Sequence, residues 1–151
     1  MATFESVQYA ANRTAVKSEP QDRSQMRYAY YEYTHAGGAG THDVNLCDLP
    51  PGKIKVYPDL CNVTSSAMVA TANLSIGHRV YTQPDETVVA EDPNEWLDQA
   101  DAGSAIDSAY LLPVVPTNYD SVAGVTVFAT IDTANIEDGD TITGWTAYTQ
   151  A

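Results

Sequence analysis

Apolar and polar residues alternate with a period of two along much of the chain, which is the spacing of a half-buried strand. Residues 53–57 give the simplest case, with Ile54 and Val56 pointing one way and Lys53 and Lys55 the other. Residues 67–76 place Met68, Ala70, Ala72, Leu74 and Ile76 on one face and Thr71, Asn73 and Ser75 on the other. In residues 124–131 the apolar face is Val125, Val127, Ala129 and Ile131. Around Val44 and Leu46 the pattern predicts Asn45 and Cys47 facing outward, and residues 109–112 read as a short strand ended by Pro113 and Pro116. Residues 27–34 are dense in tyrosine, and residues 141–149 are rich in β-branched and aromatic types, so both favour a pleated surface. Turn chemistry separates these runs at residues 36–40, at Pro50, Pro51 and Gly52, at Gly77 and at residues 137–140.

The middle of the chain carries one helix signal, with Asp92 as cap, Pro93 in the first turn, and Glu95, Trp96, Leu97 and Gln99 leading to Gly103. Residues 1–26 are polar and mixed in charge, with isolated Phe4, Val7 and Tyr9 and a break at Pro20, so they read as an arm with at most a short helix over 5–12. The expected fold is mainly β: an antiparallel β-sandwich or small barrel of seven to eight short strands, one short helix and an extended N-terminal arm. The arm is residues 1–26 and the β-sandwich domain residues 27–151.

Composition narrows the function. Among 151 residues there are 20 acidic and 7 basic side chains, a formal net charge of −13. That balance excludes the basic footprint that nucleic acid or an anionic membrane requires. No apolar run approaches the 18 or so residues of a spanning helix, and no basic-then-apolar export signal opens the sequence. The charge is unevenly placed. Arg13, Lys17, Arg23 and Arg27 stand against Glu5, Glu19 and Asp22 at the start, whereas from residue 80 onward there are thirteen acids and no lysine or arginine. A chain charged in this way has a polarised surface if its halves separate in space, and otherwise simply carries acidic loops that keep it soluble.

Motifs for chemistry are sparse. No Gly-x-Ser-x-Gly elbow and no phosphate-binding loop is present, and the glycines at 37, 38 and 40 follow an aromatic strand without a helix pattern after them. His35, His42 and His78 show no metal-ligand spacing with Cys47 and Cys61, so no metal and no cofactor is expected. Without an export signal the two cysteines read as buried free thiols, rather than a bond that would add roughly 3 kcal/mol. Acids at 85–101 and 137–140 lack the frame of a calcium loop and read as turns and solvated surface. Tyrosine is the unusual usage, ten against two phenylalanines, and it suits interfaces because it offers a large area with a polar tip. On residues 27–34 the alternation allows Tyr28 and Tyr30 to line the core while Tyr31 and Tyr33 lie along an edge. The candidate partner interface is therefore Phe4, Val7, Tyr9, Arg13, Lys17, Arg23, Arg27, Tyr31 and Tyr33.

The opening residues 1–9, the stretch 72–77, and the closing runs 125–129 and 136–142 with Tyr148 resemble small virion structural proteins of tailed bacteriophages, most of all head decoration (cement) proteins. The resemblance is one of style over most of the chain rather than of a diagnostic motif. It implies a β-rich, non-enzymatic protein that binds the major capsid protein on the outside of the head, assembles as a homotrimer and locks neighbours with its arm. It further implies synthesis in the host cytoplasm and residence on the capsid exterior. Three other classes remain open: a carbohydrate- or receptor-binding β-sandwich with exposed Tyr or Trp on a concave face, a head–tail or tail subunit forming rings, and a small hydrolase with convergent His and carboxylate groups.

Overall fold

The computed structural model describes residues 2–5, 25–110 and 116–150, with side chains at 25–40, 42–107 and 116–150. Within them the chain folds into two sheets that share one apolar core. The first sheet runs, in spatial order, β1 (Ala2–Glu5), β3 (Gly40–Leu49), β12 (Val125–Ile136), β6 (Asn73–His78) and β9 (Asp92–Asp101). The second runs β10 (Ile106–Tyr110), β5 (Asn62–Ser65), β13 (Thr141–Gln150), β4 (Gly52–Val56) and β11 (Thr117–Ser121), with β2 (Arg27–Thr34) paired along the other side of β13. A small hairpin of β7 (Tyr81–Thr82) and β8 (Val88–Val89) stands apart. All neighbours are antiparallel except β1, which runs parallel to β3. The strands number thirteen among the described residues, more than the pattern of longer runs predicts, because several have only two to five residues.

Alternation places the core as expected on β4 and β12, where Ile54, Val56, Val125, Val127, Ala129 and Ile131 are buried. On β3 it changes phase midway. Val127 lies opposite Cys47 while Phe128 lies opposite Asn45, so Leu46 is the extra residue of a β-bulge. Beyond it Cys47 and Leu49 turn inward, which corrects the expectation that Cys47 faces out. Both cysteines are free and buried.

β4 and β5 line one side of β13 end to end, interrupted by a single 3-10 turn at Pro58–Leu60. Pro58 fixes its backbone angle and offers no N–H, so the ladder must break there. Tyr57 N–H still reaches the Ala147 carbonyl at 2.9 Å, and the Ala147 N–H donates to Cys61 Sγ at 3.2 Å. Close approach also dictates residue choice. A Cβ on Gly144 would sit 2.0 Å from the Asn62 carbonyl oxygen, where the Tyr31 hydroxyl also donates at 2.9 Å.

Two segments depart from their predicted secondary structure. Residues 92–101 form β9 rather than a helix. The Asp92 carboxylate does accept the Asn94 N–H at 3.1 Å, as a cap would, but the chain then extends to pair with β6 and to bury Trp96. Residues 67–72 lie outside the strands, with a turn at 69–72 where Ala72 N–H bonds the Val69 carbonyl and Thr71 adopts φ of 75°. The acidic second half is not a separate body either. β12 lies between β3 and β6, and β13 lies between β2 and the β4–β5 line, so early and late strands interleave.

Candidate functional site

The tyrosine strand β2 is paired among the described residues only with β13 and forms an edge of its sheet. Its phase is opposite to the expected one. Tyr31 and Tyr33 are core residues, 2% and 5% exposed, whereas Tyr28 and Tyr30 are 46% and 58% exposed. The reason lies on β13, where Gly144 stands opposite Tyr31 and leaves room for its ring and hydroxyl. Tyr31 and Tyr33 therefore offer no surface to a partner in this fold, and the outward tyrosines take that place. Tyr30 pairs directly with Trp145, their ring centres 6.1 Å apart, and Tyr28 follows at 6.2 Å. Trp145 is held by its Nε1–H donating to the Leu60 carbonyl at 2.7 Å, and Leu60 is itself exposed. The result is a fixed aromatic strip on the outer face of the second sheet.

Arg27 opens β2 and donates from Nη1 to Gln150 Oε1 at 3.0 Å. Phe4 lies on β1, its backbone opposite Val44, and its side chain lies outside the described residues. Val7, Tyr9, Arg13, Lys17 and Arg23 lie outside them altogether, as does the helix expected beyond residue 5.

Sequence spacing gave no hint of a polar bridge between β6 and β9, neighbours in the first sheet. His78 Nε2 meets Glu95 Oε2 at 2.7 Å, and Nδ1 meets the Arg79 carbonyl at 2.8 Å. The Arg79 carbonyl and an ionised Glu95 both accept, so the geometry suits the protonated imidazole, which donates from both ring nitrogens. Burial opposes that charge, but the bonds to Glu95 and to the Arg79 carbonyl outweigh it and raise the His78 pKa; burial likewise opposes the Glu95 charge, and His78 overcomes it. Tyr81, Trp96 and Tyr119 close around the imidazole, with ring centres 5.4 to 6.3 Å from it. The Tyr119 hydroxyl completes no hydrogen bond of ordinary geometry, yet burial and the nearby Glu95 charge push its pKa strongly up. With both ring nitrogens engaged, His78 joins β6 to β9 within the first sheet, and its ring contact with Tyr119 on β11 reaches the second.

Arg79, next in sequence, covers the opposite face of the first sheet. Its guanidinium lies 3.9 Å from the centre of the buried Phe128 ring and bonds Asn45 and Asp43 at 3.0 and 3.1 Å. The other two histidines pack together elsewhere in the fold. The His35 and His42 rings are 4.9 Å apart, and His35 accepts from the Tyr33 hydroxyl at 2.8 Å while donating to the Gly38 carbonyl at 3.0 Å. Burial and the neighbouring His35 lower the His42 pKa. Burial pushes the Cys47 and Cys61 thiols up to about 12, so neither is a ready nucleophile.

No family model matches this chain, and no curated protein matches it. Among solved structures it is similar to a chain of the cyanophage Pam1 capsid asymmetric unit, with a TM-score of 0.57 and 14% identity over 92% of this chain and 96% of that one. At that identity the likeness is one of fold, and it extends over nearly the whole of both chains.

Proposed function

We propose that this chain is a non-enzymatic structural protein of a tailed-phage virion, one that binds the outer capsid surface and stabilises the shell. The observation that carries the reading is the end-to-end fold likeness to a chain from a cyanophage capsid asymmetric unit. The partner is the major capsid protein, with a second contact to copies of the same chain in a homotrimer. Docking uses Phe4, Val7, Tyr9, Arg13, Lys17 and Arg23 of the arm together with Arg27, and Tyr28 and Tyr30 take over from the buried Tyr31 and Tyr33. Stabilisation is a matter of linkage: a protein that binds only the assembled shell makes that state harder to disrupt.

The test is add-back of the purified chain to heads that lack it, read by cryo-electron microscopy and by the temperature of DNA release. Density on the outer surface at three-fold positions and a higher release temperature are expected. Heads that neither bind the chain nor gain stability would refute the role. A chain starting at residue 25 should keep its cooperative unfolding, because β1 is only an edge strand, and should lose attachment.

A further inference from the structure

A groove of about 790 Å³ opens beside β4, β11 and the end of β13, a size typical of small-ligand sites. Its chemistry runs against that of the chain. Lys53 and Lys55 both line it, and neither makes an ion pair among the described residues of a protein whose net charge is −13. By register Lys55 lies between Asn118 on β11 and Thr149 on β13, and Lys53 lies opposite Asp120. Lys55 Nζ is 5.6 Å from the centre of the Tyr57 ring, which also lines the groove. Gln83 and Asn118 bring side-chain amides that no protein group engages among the described residues.

We infer that this groove binds an acidic oligosaccharide, with Lys53 and Lys55 taking the carboxylates of hexuronate units. The amides, Thr149 and Asp120 match sugar hydroxyls, and the Tyr57 ring offers an apolar surface to sugar C–H groups. An acidic peptide would instead be recognised by backbone pairing along the edge of β11 that no described strand covers, whereas the groups gathered here are side chains. The inference does not depend on what the rest of the surface docks to.

Calorimetric titration of the full chain with a short oligogalacturonate tests it, with the neutral galactose oligomer of equal length and an oligoglutamate peptide alongside. Saturable binding of the uronate alone is expected, weakened about tenfold by Lys53→Gln or Lys55→Gln and reduced by added salt. Tyr57→Ala should weaken it as well. Both lysines are at least partly exposed on a strand whose core side chains are Ile54 and Val56, so these variants should unfold like the parent. Absence of uronate binding, equal binding of the neutral oligomer, equal binding of oligoglutamate, or binding indifferent to both lysine changes would each overturn the assignment.

Discussion

Replacing Glu95 with Gln isolates the polar bridge between β6 and β9. The His78–Glu95 bond is 2.7 Å long, and the side chains are 5% and 21% exposed, so it is charge-assisted and largely shielded. Such a bond contributes about 1.5–3 kcal/mol. The variant can relieve part of the loss by releasing the His78 proton, so about 2 kcal/mol is expected near pH 6. For a domain of this size that is a fall of about 4–8 °C in Tm. The pH dependence is the sharper signature. His78 titrates above its ordinary 6.5 in the fold, so its contribution is fully present below 6.5 and is lost as pH rises through the folded value. Glu95 titrates below its ordinary 4.5, so its contribution is present above 4.5 and is lost as pH falls through the folded value. The pair is therefore at full strength between those two ordinary values. In Glu95→Gln burial of His78 is opposed only by the Arg79 carbonyl bond and the Asp92 charge, so its pKa drops and the stability it contributes is lost at lower pH. His42 is lowered in both proteins and cancels in the difference. Urea unfolding of parent and variant from about pH 5 to about pH 9, with an NMR titration of the histidine Cε1 protons, measures both quantities. A stability gap that stays flat across that range, or widens as pH rises, would refute the reasoning.

Gly144→Ala puts a Cβ 2.0 Å from the Asn62 carbonyl oxygen and should cost about 3 kcal/mol in urea unfolding. Tyr31→Phe removes the 2.9 Å bond to that same carbonyl and should cost about 1–3 kcal/mol, with the fold retained by circular dichroism. Tyr30→Ala, at an exposed position paired with Trp145, should cost no more than about 1 kcal/mol while weakening attachment to heads in a co-sedimentation assay. Ellman's reagent should find no reactive thiol in the native protein and both in denaturant, and reductant should leave Tm unchanged.

How much of this was legible in the sequence depended on whether a local pattern had one reading or two. Ile54 and Val56 between lysines can face only one way, and β4 follows; the four apolar residues 125, 127, 129 and 131 do the same for β12. The tyrosines at 28, 30, 31 and 33 fill both faces of their strand, so only a neighbour could set the phase, and that neighbour is Gly144, more than a hundred residues away. Leu46 hides a bulge that shows only once β12 pairs with it. At residues 92–101 the local signal was sound, since Asp92 does bond Asn94 N–H, but pairing with β6 and burial of Trp96 outweighed it. The groove was half legible: the outward lysines could be read from β4, whereas Asn118, Thr149 and Gln83 reach it only through the assembled sheet. Nothing in the spacing of His78 and Glu95 marked them as a pair, because their meeting depends on where β6 and β9 run.

The place of β13 bears on how the chain comes to exist at all. β2, β4 and β5 are each hydrogen-bonded to it, so the second sheet has no centre until residues 141–150 have left the ribosome. Until then Tyr31, Ile54 and Val63 have no strand to close over them, and β2 exposes a tyrosine-rich edge. Such long-range pairing makes folding slow and leaves a nascent chain open to aggregation. The thirteen acids from residue 80 onward are made during that interval, and their mutual repulsion keeps unfinished chains apart. The charge thus protects the chain before it is folded, as well as keeping the finished protein dispersed.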